Sequence, residues 1–220
     1  MITRRWGRLE ATAGAVGAVA LLVATAGFDT WVTYLAIWCP LLAAVIVARY
    51  RRYVPLSGAD LRAPVRFRIT WMDLLAGVFV GLSLRGFVMI VELLSVGYIT
   101  SSSSMFDVNH SWGWLVTAIL FPGLFAPVVE ELYFRGLVLP AIGLNWIGIV
   151  CSAVIFSALH LVTAFHPLIA TSTFVVGITL GLLAVRTGRL GASIAAHVAY
   201  NASLIAMSEL GGLASFAGSQ

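Results

Sequence analysis

Lysine is absent from this 220-residue chain, so all 13 basic residues are arginine. No function is read from that bias. Charge of either sign is scarce. Charged residues make up 10% of the chain and hydrophobic ones 60%, against roughly 25% and 45–50% in a soluble domain. Mean hydropathy is +1.00. A chain this short could not hide several apolar runs of about 20 residues from water, so a soluble globular class is excluded. Cysteine is nearly absent too. Cys39 and Cys151 lie in different apolar runs, with no Cys-x-x-Cys and no Cys/His metal spacing. Both read as small hydrophobes. The net charge is +4 and the pI about 9.5, but the arginines fall between apolar runs. They form no basic face interleaved with aromatics, so no nucleic-acid partner is expected.

What the chain has is apolar runs. Seven can be marked, over about 11–28, 31–48, 71–95, 114–139, 145–165, 167–185 and 191–209, each close to the ~20 residues that span a bilayer. The expected fold is all-α: a polytopic transmembrane bundle of about seven helices, with a catalytic cavity among the C-terminal four. With seven spans, twelve of the thirteen arginines fall on one side. The positive-inside rule makes that side cytoplasmic, which puts the N-terminus in the cytoplasm and the C-terminus outside. The expected location is a multi-pass protein of the bacterial cell membrane. The basic start and Ala24-Thr25-Ala26 imitate a signal peptide, but further spans follow at once, so an uncleaved first helix is the expectation. Residues 50–70 read as a basic cytoplasmic loop and 96–112, with Ser101 to Ser104, as an external one. The division along the chain is 1–112 (N-terminal helices), 113–210 (catalytic core) and 211–220 (tail). No internal repeat is visible.

Ionisable residues inside a membrane are costly and usually carry function. Residues 130–135 read Glu-Glu-Leu-Tyr-Phe-Arg. Glu131 and Arg135 are four apart and can pair on one helix face. Glu130 is rotated about 100° from Glu131, so one carboxylate can be held by arginine while the other faces a cavity. Pro122 and Pro127 lie upstream, predicting a kinked or broken helix and a hydrated pocket. Phe156 and His160 are four apart, as are His197 and Asn201, so each pair shares a face. A neutral imidazole beside a carboxylate can order or activate water. An imidazole N–H and an amide on one face can donate to a developing oxyanion. Together these are the parts for water attack on a carbonyl. Taken singly, each has a plainer reading: a structural ion pair for Glu131 and Arg135, interhelical glue for His160, His197 or Asn201, and packing for Tyr133, Phe134 and Phe156. Arg85 and Glu92, seven apart, read as structural. Asp73 and Glu209 read as interfacial, and Asp107, His110 and His166 as loop residues.

The ordered set Glu-Glu-x-x-x-Arg (130–135), Phe-x-x-x-His (156–160) and His-x-x-x-Asn (197–201), each on its own apolar helix, resembles the CPBP family. That family comprises CAAX prenyl endopeptidases of the Rce1 type and bacterial Abi or lysostaphin-resistance-protein-like membrane proteases. The resemblance covers roughly residues 113–205. It implies an intramembrane endopeptidase in which Glu130 is general base on water and His160 assists. His197 and Asn201 stabilise the oxyanion, and Glu131, Arg135 and Phe156 support them. The family has been described both as metalloproteases and as metal-independent glutamate peptidases. The metal-free version is favoured here: the zinc motif His-Glu-x-x-His is absent, and Asn201 is an uncommon zinc ligand. A divalent metal such as zinc would use Glu130, His160 and His197. The implied partners are the lipid bilayer and a membrane-associated peptide or protein substrate. In a bacterium that substrate is a peptide, a bacteriocin precursor or a membrane protein rather than a prenylated one.

One expectation concerns reach. Drawn as above, Glu130 lies toward the cytoplasmic end of its helix and His160 toward the outer end of the next. Bringing them together predicts that the fifth helix starts near 150, with 140–149 as an interfacial segment. The rival functions are a non-catalytic immunity or scaffold protein, an ion-coupled transporter using Arg85, Glu92 and the carboxylates, and a rhomboid-like serine protease built on Ser193 and His197. The missing inverted repeat counts against the transporter. The missing Gly-x-Ser-Gly counts against the serine protease.

Overall fold

A computed structural model describes residues 3–25, 30–53, 65–96, 112–163 and 167–217. They are helical almost throughout: α1 (Thr3–Ala24), α2 (Thr30–Tyr53), α3 (Trp71–Val96), α4 (Trp112–Ala118), α5 (Ala126–Tyr133), α6 (Leu139–Ile142), α7 (Trp146–Thr163), α8 (Pro167–Thr187) and α9 (Gly191–Ala217). Two π-helical stretches, Ile119–Phe125 and Phe134–Val138, join α4, α5 and α6 into one rod. The described residues thus form seven rods, one for each apolar run. Among them, the isolated bridge between Arg66 and Arg189 is the β pairing present. Of the external loop expected at 96–112, residues 97–111 lie outside the described residues, as does the middle of the basic loop. Cys39 and Cys151 are both free.

Five of the rods contain stretches long and apolar enough to cross a membrane, and α7 carries a shorter apolar stretch, Trp146–Leu161. The burial pattern is that of a protein solvated by lipid. On α3, Arg85 and Glu92 are 2% and 4% exposed, whereas Phe79 and Leu94 are 73% and 81% exposed. Charge inside and large apolar groups outside is the reverse of a water-soluble helix.

The chain forms two compact units: residues 1–69 with 129–190, and residues 70–128 with 191–220. In the first, α1 and α2 pair as a hairpin and α7 packs on α8. Tyr133 wedges into this unit, its hydroxyl donating to the Ala11 carbonyl. A Cβ at Gly14 would lie 2.7 Å from the Tyr133 ring and 2.8 Å from Ala44, so only glycine lets α1 close over the wedge. α6 turns into α7 through Gly143, whose φ of 152° suits glycine. Asn145 then caps α7, its Oδ1 accepting the Gly148 N–H at 2.9 Å.

In the second unit, α3 opens with a capping box. The Thr70 backbone N–H and hydroxyl both donate to Asp73 Oδ2, at 2.9 and 2.7 Å, and the Asp73 N–H donates to Thr70 Oγ at 3.2 Å. Asp73, read as lying near a helix end, caps that end. α3 runs parallel to α9, because Gly77 lies against Ala192 and Ala195, Gly81 against Ala196, and Arg85 over Tyr200. A Cβ at Gly77 would stand 2.6 Å from the Ala192 carbonyl oxygen, so these small residues permit the close approach by which membrane helices associate. α9 continues to Ala217, past the end at 209 that the apolar run suggested.

Candidate active site

The reach problem resolves without the expected shift. α7 starts at Trp146 rather than near 150, so 140–149 is not an interfacial segment. The preceding rod instead runs on to Ile142, three residues beyond the apolar run, and the turn at 143–145 folds α7 back against it. At 1.5 Å per residue, Glu130 lies about 18 Å from the end of its rod and His160 about 21 Å from the start of α7. The two therefore stand at the same height. Glu130 Oε2 and His160 Nε2 are 3.9 Å apart.

The orientation of His160 follows from its other nitrogen. Nδ1 lies 2.9 Å from the Phe156 carbonyl oxygen. A carbonyl only accepts, so Nδ1 carries the proton. In the neutral ring, Nε2 then presents its lone pair toward Glu130. The Phe156 ring also touches the His160 ring, with centroids 4.4 Å apart.

On its other side Phe156 meets the arginine. The Arg135 guanidinium sits 4.8 Å from the Phe156 ring centroid, within cation–π range. Phe134 stands edge-on to Phe156 at 5.0 Å. Arg135 Nη1 donates to Glu131 Oε1 at 2.9 Å, and Nη2 donates to the Gly177 carbonyl on α8 at 3.0 Å. Glu131 and Arg135 are wholly buried. The charge of Arg135, costing about 3 kcal/mol at mid-membrane on insertion scales, is thus met by a carboxylate, a carbonyl and two aromatic rings. Arg135 lies in the π-helical stretch Phe134–Val138, and such bulges recur at functional sites.

Glu130 has a further neighbour that the motifs did not reveal. Trp38 Nε1 on α2 donates to Glu130 Oε1 at 3.4 Å, and the Tyr34 ring stacks on the indole at 5.0 Å, 5° from parallel. The sequence held one signal. Tyr34 and Trp38, four apart inside a span, carry an O–H and an N–H that must each find a partner there.

His197 and Asn201 lie together on α9 in the second unit, His197 buried and Asn201 half-buried. The helix is not broken near the prolines, as one expectation had it, but runs on through them as the π-helical stretch Ile119–Phe125, which contains Pro122. The Ala126 N–H bonds to the Phe121 carbonyl, so it is spent one residue early. The next residue, Pro127, has no N–H. The Pro122 carbonyl is therefore left without a donor from its own helix, and Asn201 Nδ2 donates to it at 3.0 Å. The amide has a second proton for other work.

Among the described residues, no three His, Cys, Asp or Glu side chains are grouped to hold a metal ion.

Fold and burial define a polytopic all-α integral membrane protein, its first unit carrying a buried carboxylate beside a half-buried imidazole. Residues 111–203 match the family described as type II CAAX prenyl endopeptidase Rce1-like, and the resemblance read from the three motifs is thereby borne out. That family consists of intramembrane proteases. No curated protein and no solved structure significantly matches the chain.

Proposed function

We propose that the protein is a membrane-embedded endopeptidase of the glutamate type. Its substrate is a peptide bond near the terminus of a membrane-associated peptide or protein, in a bacterial cell membrane, with the protein's N-terminus in the cytoplasm. The observation that carries the reading is the Glu130–His160 pair, with Nε2 and a carboxylate oxygen facing each other at 3.9 Å. Two acceptors at that spacing suit one water, which can donate a proton to each at about 2.8 Å. The water's oxygen lone pair is then free to attack a carbonyl carbon.

In the attack Glu130 takes one water proton as the new C–O bond forms, and His160 holds the water by the other. His197 and Asn201 supply N–H donors to the oxyanion, in the role the family resemblance assigns them. Collapse of the tetrahedral intermediate breaks the C–N bond, and the proton on Glu130 passes to the leaving amine. Glu131 and Arg135 hold the helix that presents Glu130, and Phe156 ties Arg135 to His160. No step needs a metal. Comparing membrane peptides from cells making the protein with those from cells making Glu130→Gln tests this. Cleavage products present in the first and missing in the second support it, and identical peptide profiles overturn it.

A further inference from the structure

We infer that Trp38 is a positioning residue for Glu130, an inference that rests on the peptidase reading above. Trp38 lies on α2, outside the residues 111–203 that match the protease family. Its indole is 4% exposed, and a buried indole N–H normally has a hydrogen-bond partner. Here that partner is Glu130 Oε1, at 3.4 Å.

The consequence is a division of labour between the two oxygens of one carboxylate. Oε1 receives the indole N–H, a donor that does not give up its proton under any condition of the reaction. Oε2 is the oxygen that faces His160. A carboxylate held by one oxygen cannot rotate freely about its last torsion, a broad and soft one in glutamate. The indole thereby fixes which oxygen faces His160 and at what angle. The indole is itself held. Tyr34 stacks flat on it at 5.0 Å from one helical turn away, and α2 is anchored to α1, where Gly17 faces Pro40 two residues beyond Trp38. The N-terminal hairpin therefore contributes to the alignment of the base as well as to the bulk of the bundle.

Two replacements separate the N–H from the ring. Trp38→Phe removes both the N–H and part of the ring. Replacement of Trp38 by 3-benzothienylalanine keeps the ring's size and substitutes sulfur for N–H. Both are made in the full chain in lipid nanodiscs and assayed on the best-cleaved member of a quenched-fluorescent lipidated peptide set. The expected result is a fall in kcat of about ten-fold in both, the scale of one hydrogen bond to a charged group. KM is unchanged, and the sulfur isostere melts at the wild-type temperature. Independently of any substrate, the indole ¹⁵N–¹H resonance that vanishes in Trp38→Phe moves in Glu130→Gln.

Wild-type kcat in the isostere overturns the inference, because packing alone then accounts for Trp38. So does an indole resonance that stays in place in Glu130→Gln. Full cleavage by Glu130→Gln overturns the peptidase reading instead, and the indole resonance still reports whether the Trp38–Glu130 bond exists.

Discussion

His160 turns its Nδ1 proton to the Phe156 carbonyl, at 2.9 Å, four residues back on its own helix. The imidazole is thereby locked in one tautomer and one orientation, with Nε2 toward Glu130.

That lock makes the two members of the pair unequal. Glu130→Gln removes the base and should abolish cleavage, a loss of at least about a thousand-fold, while the melting temperature stays near wild type. His160→Ala removes a group that orders water and should cost about 10²–10⁴ in kcat, the range of general acid–base assistance. Single-turnover cleavage beside thermal unfolding of the same samples checks both. Wild-type turnover in either variant contradicts the mechanism.

The Glu131–Arg135 pair is wholly buried. Glu131→Ala strands a guanidinium inside the bundle and should destabilise the protein by about 3–5 kcal/mol. Glu131→Leu combined with Arg135→Met removes both charges and should recover most of that loss. Unfolding in a denaturing-detergent titration provides the comparison. A double variant as unstable as Glu131→Ala would mean that the charges are not what the site depends on.

Phe156 serves Arg135 with one side of its ring and His160 with the other. Phe156→Leu keeps an apolar side chain and the carbonyl that accepts from His160, but removes the π face. Stability should fall by about 1–2 kcal/mol, with a several-fold loss of kcat. Phe156→Ala should cost about 3–5 kcal/mol. Wild-type stability and wild-type kcat in Phe156→Leu would contradict a specific aromatic role.

The Asn201 amide stands in for a missing backbone donor beside Pro122 and Pro127. Asn201→Ala should lower stability by about 1 kcal/mol. Pro127→Ala restores an N–H to the helix and should make the same Asn201→Ala change nearly neutral for stability. A double-mutant cycle on thermal unfolding measures this coupling, and strict additivity refutes it.

If water is activated by Glu130 and His160 alone, cleavage in nanodiscs survives dialysis against EDTA and 1,10-phenanthroline. Loss of activity that returns on adding zinc would reassign the chemistry to a metal.

Much of this protein was legible along the chain. Apolar runs located all seven rods, because in lipid each span must satisfy its own backbone and therefore be helical over a length set by the bilayer. The four-residue spacing of Glu131 and Arg135 was enough to pair them, because both lie on one turn of one helix. The three motifs led to the same protease family as the match over residues 111–203.

Relations between helices were not legible. Whether His160 could reach Glu130 depended on where one rod ended and the next began. Three residues of extra helix at 140–142 and a glycine turn at 143 decided it, and hydropathy does not resolve such boundaries. Trp38 carries no motif, and its partner is 92 positions away. The link between Asn201 and Pro122 arises only because a π-helical stretch shifts the Ala126 bond by one residue. Composition and periodicity thus determined the membrane class, the helices and the pairings within a turn, because those are local. Which oxygen of Glu130 faces His160, and what holds the other, was decided by tertiary structure, because hydrogen bonds between helices depend on ångström-scale placement that sequence spacing does not encode.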